Sequence, residues 1–426
     1  MHLKVNQYPV QSLSQGKSTH YSSGELIVNR EELIDYLQAS GELEELEVTD
    51  IALISPGTKT RVINIFDVFP AHARLGEHAV DYPGIFSPMQ SVGDGETAAL
   101  DNFSVLTISS KTDKYNKLLD MSGLGSEITP YSKQFHLAIS VETKQPGMTK
   151  TAYYYALKRI GLRVGNFLAK SAAAVSPVKT SSYTLDPRPQ GLPRAAYVFM
   201  VASHQKSESG EPILYGDDVS GLHPTVLHPN EVLDGALVSP YWNLGIDTYS
   251  FQNNPVVMGL YDRHAKDIDF AGVVVNVSHI TRQQRERSVQ MVSNLVAAVL
   301  GADLAVVTKV GGGIPESDLM LTVEDLEKRG VRTAIVTMSH MGDGTLRDSL
   351  SAYSSAADAI ASAGVQDEWL DLSEQANVIG GSMVGPFTDD PNDKPQPANA
   401  AIRVRYRDIS GAISQLGASF VSQMEI

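Results

Sequence analysis

The hydrophobic pattern of the first third of the chain predicts strands. Short runs rich in β-branched and aromatic residues alternate with Gly, Pro and Asp turns, which is typical of strands. The predicted strands are 24–28, 51–54, 60–68, 103–109 and 135–141. Asn29 and Glu32 fit a helix N-cap followed three residues later by a carboxylate. They predict a short helix, whose apolar residues are Leu33, Ile34 and Leu37.

Apolar residues then recur at helical spacing between positions 149 and 174. They are Tyr153, Leu157, Ile160, Val164, Phe167 and Leu168. This spacing predicts a long helix that packs on the preceding sheet. Residues 176–193 follow with Pro, Ser, Thr and Gly, through which neither a helix nor a central strand can continue. We therefore predict a boundary between a strand-rich α+β domain, residues 1–180, and a second domain, residues 181–426.

The second half alternates short buried strands with helices. The predicted strands are 195–202, 236–239, 270–277, 304–307 and 332–338, and the predicted helices cover 289–299 and 322–330. Such alternation favours a doubly wound, largely parallel sheet, whose ligands bind beyond the carboxyl ends of the strands. The predicted fold class is therefore α/β, with a strand-rich N-terminal domain followed by a doubly wound, largely parallel α/β domain.

Composition excludes several classes of function. The 426 residues carry a formal net charge of −15, which disfavours nucleic acid and anionic membranes as partners. No basic segment followed by an apolar stretch begins the chain, so a cytoplasmic protein is expected. The chain has no cysteine, which excludes disulfides, thiolate nucleophiles and cysteine-bound metals. Any redox thiol must therefore come from a partner.

Two motifs of the second half could carry chemistry. Gly311, Gly312 and Gly313 follow a predicted strand, and their backbone amides could hold an anion or a carbonyl oxygen, or could only form a tight turn. His340 follows the next predicted strand and could move a proton or bind a ligand, although a loop histidine is often simply solvated. Both motifs lie where α/β folds gather their sites.

Two further groups of residues are weaker candidates. His223 and His228 are each followed by proline, which keeps the chain extended and prevents both imidazoles from sharing a helix face, so we expect no metal site. Asp120 and Ser122 lie in a glycine-rich segment that could be an active-site loop or a plain turn. No Gly-x-Ser-x-Gly motif surrounds Ser122, so it is not predicted to be a nucleophile.

Several blocks taken together, in order, resemble the component B proprotein subunit of glycine, sarcosine and betaine reductases. The blocks are 120–123, 129–133, 224–227, 229–239, 253–255, 311–320 and 409–412. They span nearly the whole chain, and the block that contains Glu231 and Asp234 is the most specific. The resemblance implies a subunit whose precursor cleaves itself at a cysteine shortly after the position of Ser239 and converts that cysteine to a pyruvoyl group.

This sequence departs from the family at that point. Residues 239–247 form an apparently shortened segment without a cysteine, so we expect no pyruvoyl cofactor and an uncleaved chain. Ser239 and Ser250 are formal alternatives for making a pyruvoyl group, but Ser239 precedes a proline. Tyr241 and Trp242 stand where the cofactor would form and are predicted to line the substrate pocket.

The resemblance implies a heteromeric assembly, because in this family a separate subunit supplies the selenocysteine. The first hypothesis is a subunit of a reductase-like complex that acts on a small amine or carboxylate with a thiol- or selenol-bearing partner. The alternatives are a redox-independent lyase or hydrolase and a non-catalytic structural partner. The predicted catalytic residues are Glu231, Glu316 and His340. The predicted substrate-binding residues are Asp120, Ser122, Asp234, Tyr241, Trp242, Gly311, Gly312 and Gly313.

Overall fold

The computed structural model of the chain describes residues 1–76, 79–111, 116–204, 210–240, 245–340, 345–388, 390–420 and 423–425. Its strands are β1 (His2–Pro9), β2 (Ser12–Gln15), β3 (His20–Ser22), β4 (Glu25–Val28), β5 (Leu46–Ile54), β6 (Thr60–Leu75), β7 (Gly95–Ser109), β8 (Lys117–Asp120), β9 (Phe135–Thr143), β10 (Lys179–Thr184), β11 (Arg194–Ser203), β12 (Thr225–Leu227), β13 (Asp269–Ser278), β14 (Leu304–Thr308), β15 (Arg332–Ser339), β16 (Ile360–Val365), β17 (Trp369–Leu372), β18 (Asn377–Ile379), β19 (Met383–Val384), β20 (Gln396–Pro397), β21 (Ile402–Arg405) and β22 (Gln423–Glu425).

The α-helices of the same ranges are α1 (Arg30–Ala39), α2 (Lys150–Lys170), α3 (Pro229–Leu233), α4 (Thr248–Gln252), α5 (Pro255–Arg263), α6 (Arg282–Asn294) and α7 (Ile314–Lys328). A π-helical turn at Leu295–Val299 continues α6, and 3₁₀ turns lie at Leu124–Ser126, Tyr131–Lys133, Arg347–Ser349 and Tyr406–Asp408. None of the helices in the described ranges is both long and apolar enough to cross a bilayer.

The first large sheet contains most strands of the N-terminal part. Its central path runs β10, β1, β7, β6 and β18, while β8 pairs with β6, and β9 joins β7 to β5. Antiparallel pairs such as β6 with β7 mix with parallel pairs such as β7 with β9. The strand β18 comes from the C-terminal part of the chain and pairs with β6. This sheet confirms the strand-rich N-terminal region, while the boundary at residue 180 stays a prediction.

Helix α2 packs against β6 of this sheet at unusually close range. A Cβ atom on Gly161 would lie 2.2 Å from the ring of Phe69, and one on Gly165 would lie 2.5 Å from the carbonyl oxygen of Pro70. Glycine inside a helix costs about 1 kcal/mol relative to alanine. Here, two glycines one turn apart let the helix backbone reach the sheet. The predicted helix is confirmed, and Thr149 caps its N-terminus by accepting from the backbone N–H of Ala152.

The second large sheet has the order β12, β13, β11, β14, β15, β16 and β22. The inner strands from β13 to β16 are parallel, and β12 and β22 add antiparallel edges. The chain leaves β11 towards β13 on one side and leaves β14 towards β15 on the other. The carboxyl ends of β11 and β14 therefore flank the point at which the winding reverses, where ligands bind in such folds. The doubly wound, largely parallel arrangement is confirmed.

Two local predictions differ from the structure. Residues 236–239 were expected to form a strand, but only Leu237 forms an isolated bridge, with Leu214. The reason is the turn after α3, where Gly235 has a φ of +91° and the chain pairs with the irregular segment 213–217 instead of a sheet. In α1, Asn29 accepts from two backbone N–H groups as predicted, but Glu32 accepts from the backbone of Thr19 and leaves the capping box open.

A buried ion pair holds the C-terminal part of the chain on the first sheet. The guanidinium of Arg61 contacts both carboxylate oxygens of Asp120, at 2.6 and 2.8 Å, and also donates to the carbonyl oxygens of Ser373, Ala398 and Ala400. Both side chains of the pair are almost fully buried. Arg61 thus satisfies the predicted substrate-binding residue Asp120 and three backbone carbonyls at once.

Arg61→Leu should lower the free energy of unfolding by about 3–5 kcal/mol, because it leaves the Asp120 carboxylate buried without its countercharge. Arg403→Leu is the matched control, since Arg403 and its partner Asp371 are 65% and 78% exposed, and it should change stability by about 0.5 kcal/mol or less. Urea unfolding of both variants checks this. Equal stability of the two variants would show that Arg61 does not hold the C-terminal segment.

Candidate functional site

Four parallel strands of the second sheet end in a hydroxyl residue followed by a basic or ionisable one. The pairs are Ser203-His204 after β11, Ser278-His279 after β13, Thr308-Lys309 after β14 and Ser339-His340 after β15. Because these strands are parallel, their carboxyl ends form one edge of the sheet. Polar side chains therefore line the edge at which an α/β fold binds its ligands.

Glu316 is the centre of the strongest cluster on this edge. It stands in the first turn of α7, and its side chain is fully buried. One carboxylate oxygen lies 3.4 Å from Nζ of Lys309, and the other lies 3.4 Å from Nε2 of His340. The backbone N–H and the hydroxyl group of Ser351 both donate to that second oxygen. Glu316, Lys309, His340 and Ser351 are called the Glu316 cluster below.

The cluster keeps Glu316 ionised. Burial by itself raises the pKa of this carboxyl, but His340, the charge of Lys309 and the hydrogen bonds from Ser351 outweigh it and lower the pKa to about 2. The side chain of His340 is 26% exposed and Ser351 is exposed as well, whereas Lys309 is fully buried. An ionised carboxylate thus holds one nitrogen of a histidine that faces the edge of the sheet.

The triglycine turn joins Lys309 to Glu316 and packs beside the histidine. Gly311 has a φ of +98° and Gly313 a φ of +75°, a conformation that other residues rarely adopt. A Cβ atom on Gly312 would lie 3.5 Å from Cε1 of His340, so this glycine borders the imidazole without being sterically required. The structure therefore brings the predicted residues Glu316, His340 and 311–313 together.

Glu231 and Asp234 lie elsewhere and hold α3 in place. Glu231 accepts from the hydroxyl group of Tyr215 at 2.6 Å and from the backbone N–H of His228 at 2.7 Å, which closes the capping box of α3. Asp234 accepts from Thr97 at 2.5 Å and ion-pairs with Arg74 at 3.0 Å. In the described parts of the chain, no hydrogen bond or ion pair joins either carboxylate to the Glu316 cluster.

Asp120 and Ser122 are also separate from this cluster in their contacts. The carboxylate of Asp120 is paired with Arg61. The hydroxyl group of Ser122 donates to Gln375 at 3.3 Å. Tyr241 and Trp242 lie outside the described residues. The chain is described again at Gly245, whose carbonyl oxygen accepts from the backbone N–H of Gln415 at 2.9 Å, and the side-chain oxygen of Gln415 lies 3.5 Å from Nζ of Lys309.

Ser239, on the N-terminal side of residues 240–244, belongs to a second buried cluster, which was not predicted from the sequence. Asp67 of β6 accepts from Lys158 of α2 at 2.7 Å, from Ser239 at 3.3 Å and from the hydroxyl group of Thr248 at 2.7 Å. Lys158 also donates to Ser239, at 3.2 Å. These four residues are called the Asp67 cluster. The sequence feature that could have indicated this cluster is Lys158, a lysine within the apolar stripe of α2. A lysine buried there needs a charged or polar partner.

Two residues of a family-like block contact other parts of the chain, one of them at Asp247, next to the Asp67 cluster. The hydroxyl group of Tyr131 donates to the carboxylate of Asp247 at 2.7 Å. Burial, together with the charge of Asp67, raises the pKa of Asp247 to about 6. Thr129 donates to the carbonyl oxygen of Ser410, in the last of the family-like blocks. Blocks that are distant in sequence thus meet beside the segment that follows Ser239.

The residues present do not fit a pyruvoyl group made from this chain. The sequence has no cysteine, and the hydroxyl group of Ser239 is engaged by Asp67, Lys158 and Thr248. The hydroxyl group of Ser250 donates to the carbonyl oxygen of Asp247 and caps α4. Both serine hydroxyl groups therefore make hydrogen bonds within the protein.

The blocks that meet around this segment are family-like, and a family model covers nearly the whole chain. Residues 1–423 match the family model described as Glycine/sarcosine/betaine reductase component B subunits. The chain belongs to this family. It is 28% identical, over 98% of both chains, to the glycine reductase complex component B subunits alpha and beta of Acetoanaerobium sticklandii.

Two further relatives are also component B subunits of reductase complexes. The sarcosine reductase complex component B subunit alpha of Peptoclostridium acidaminophilum is 29% identical, over 85% of this chain and 86% of its own. The betaine reductase complex component B subunit alpha of the same organism is 28% identical, over 89% of this chain and 88% of its own. No solved structure matches the chain.

Glu316→Gln should destabilise the fold by about 3–5 kcal/mol at pH 7, because Lys309 loses its buried countercharge. The pKa of Glu316 falls from 4.5 to about 2 on folding, so its carboxylate stabilises the fold fully above pH 4.5 and loses that effect as the pH falls towards 2. The difference in the free energy of unfolding between wild type and Glu316→Gln should therefore decrease as the pH falls from 4.5 towards 2. Urea unfolding at pH 7, 5 and 3.5 measures it.

Glu286→Gln is the matched control, because Glu286 is 57% exposed on α6 and forms an ion pair with the exposed Arg282. Its stability should follow the wild type at each pH. A gap between wild type and Glu316→Gln that stays constant from pH 7 to pH 3.5 would contradict an ionised Glu316.

Proposed function

We propose that this chain is a subunit of a reductase-type complex that binds a small amine or amino-acid-derived substrate and works without a self-generated pyruvoyl group. Its family and the names of its relatives support the class of assembly. The lack of cysteine means that any sulfur or selenium nucleophile must come from another chain. The proposed partner is a thiol- or selenol-bearing homologue of the other component B subunit.

The observation that carries the proposal is the pair formed by Glu316 and His340. An ionised carboxylate beside one imidazole nitrogen orients the ring, as a positioned general acid requires. Lys309 and Ser351 hold the carboxylate, and His340 is partly exposed at the edge of the sheet. We assign proton transfer to His340 and its positioning to Glu316.

The proposed reaction is a displacement at the carbon that carries the amine. The partner's thiolate or selenolate forms a bond to that carbon, the C–N bond breaks, and its electron pair leaves with the nitrogen. The imidazolium of His340 gives the proton that a neutral amine needs to leave. The backbone amides of the triglycine turn, at the N-terminal end of α7, would hold the substrate carboxylate. Tyr241 and Trp242 are proposed to exclude water from the pocket.

A second candidate function rests on the same pair. A proton-transfer group complete on one chain could also serve a redox-independent lyase or hydrolase, with no partner at all. Turnover by the isolated chain separates the two, because the first proposal requires a second subunit. A complex in which only the partner is needed for turnover would indicate the third possibility, a structural role.

The purified chain should remain one polypeptide and should not react with a carbonyl-specific hydrazide, because the residue that forms the carbonyl in the family is absent. Intact-mass spectrometry before and after hydrazide treatment measures both. The control is the chain with a cysteine inserted after Ser239, which tests whether the scaffold can still process itself. Two fragments, or hydrazide labelling of the unmodified chain, would refute the proposal of a pyruvoyl-free subunit.

His340→Ala should reduce amine release from glycine or sarcosine by about 10²–10⁴-fold, since a general acid contributes that much. Betaine is an internal control, because its quaternary nitrogen leaves without needing a proton. The assay uses the chain co-purified with its thiol- or selenol-bearing partner, and a thermal melt confirms folding.

Glu231→Gln is the comparison variant, because Glu231 was also predicted to be catalytic. Loss of activity in Glu231→Gln with full activity in His340→Ala would move the proton transfer to Glu231. Full activity in both folded variants would mean that the site lies elsewhere. A chain that forms no complex and turns over alone would contradict the reductase assignment.

A further inference from the structure

A second cleft opens at the carboxyl end of β13, away from the Glu316 cluster. One wall is the loop that contains His223, and the other is His279 with the first two turns of α6. Gln284, Arg287 and Ser288 line this wall and share one face of the helix, since they are three and four positions apart. The cleft contains about 400 Å³ of empty space, open solvent included.

The cleft is locally positive in a protein with a net charge of −15. Burial lowers the pKa of His279, and His204, Arg287 and His223 lower it further, so every charged neighbour that acts on this imidazole is cationic or becomes so. The rings of His279 and His204 lie 5.1 Å apart, between centroids. Asp218 is the acidic group that acts on His204. Among the described residues that line the cleft, Arg287 is a permanent cation and none is acidic, which favours an anion.

One buried polar atom that lines this cleft has no hydrogen-bond partner among the described residues. It is the hydroxyl oxygen of Ser288, a residue that is 6% exposed. Buried polar atoms of this kind are normally satisfied, so each unpaired group calls for an explanation. A ligand in the cleft would supply the acceptor for Ser288.

Helix α6 adds to the same preference. It has 13 residues, begins after the N-cap Thr281, and presents Gln284, Arg287 and Ser288 to the cleft from its first two turns. The N-terminal end of a helix carries a partial positive charge, which attracts anions. Arg282 does not compete for the anion, because it pairs with Glu286 on the exposed side of the helix.

We propose that this cleft is a second binding site, which takes a small oxyanion, a carboxylate or a phosphate group, on Arg287, His279 and Ser288. The site goes beyond the proposed function, since amine cleavage at His340 needs none of these three residues. A carboxylate and a phosphate share the oxygen geometry that a guanidinium and two donors recognise. Titration with inorganic phosphate and with acetate distinguishes a phosphate ligand from a carboxylate ligand.

The test is isothermal titration of the full chain with inorganic phosphate and, separately, with acetate, at constant ionic strength. At least one anion should bind with a dissociation constant of about 1 mM or tighter. Binding of phosphate alone identifies a phosphate site, binding of acetate alone a carboxylate site, and binding of both a general oxyanion site. No saturable heat from either anion overturns the proposal.

Arg287→Gln should weaken binding by about tenfold or more, because the charge-assisted hydrogen bonds are lost. Arg282→Gln is the matched control, an exposed arginine of the same helix outside the cleft, and should bind as the wild type does. His279→Gln provides a third measurement and should also weaken binding. Equal affinity of Arg287→Gln and Arg282→Gln would mean an adventitious ion only and would overturn the proposal.

Discussion

The fold depends on buried charges, each of which is matched at a point where distant parts of the chain meet. Arg61 is the clearest case, because its guanidinium pairs with Asp120 and also binds carbonyl oxygens near positions 373, 398 and 400. A fully buried guanidinium has no water to replace these acceptors, so the C-terminal segment must return to the first sheet. Strand β18 then pairs with β6 in the same region.

The same principle positions the functional residues. The Asp67 cluster ties α2 to the chain at Ser239, and the Glu316 cluster ties the triglycine turn to His340 and Ser351. Burial makes each of these ionic contacts costly to break on one side only. The partly exposed His340 therefore lies against a buried carboxylate, Glu316, which is itself paired with the buried Lys309.

Periodicity in the sequence was enough to predict the parallel strands and the long helix α2. It also predicted that His340 and the triglycine turn would share one sheet edge, because strand ends are ordered by topology alone. It could not predict which polar residues would be internal partners. Lys309 and Lys158 lie within apolar runs, and only the packed structure shows that Glu316 and Asp67 meet them. The segment 236–239 was misread because it is buried without being part of a sheet.

The close fit of α2 on β6 has a consequence for how this family can change. Because Gly161 and Gly165 leave no gap against Phe69 and Pro70, the helix cannot slide, and Lys158 meets Ser239 at a fixed place. Gly245 is anchored separately through Gln415. A segment tethered at both ends to an unyielding frame can be shortened or exchanged at little thermodynamic cost, about 0.6 kcal/mol for each doubling of loop length. The sequence between Ser239 and Gly245 can therefore vary within the family, and its chemistry can change, while the surrounding fold stays the same.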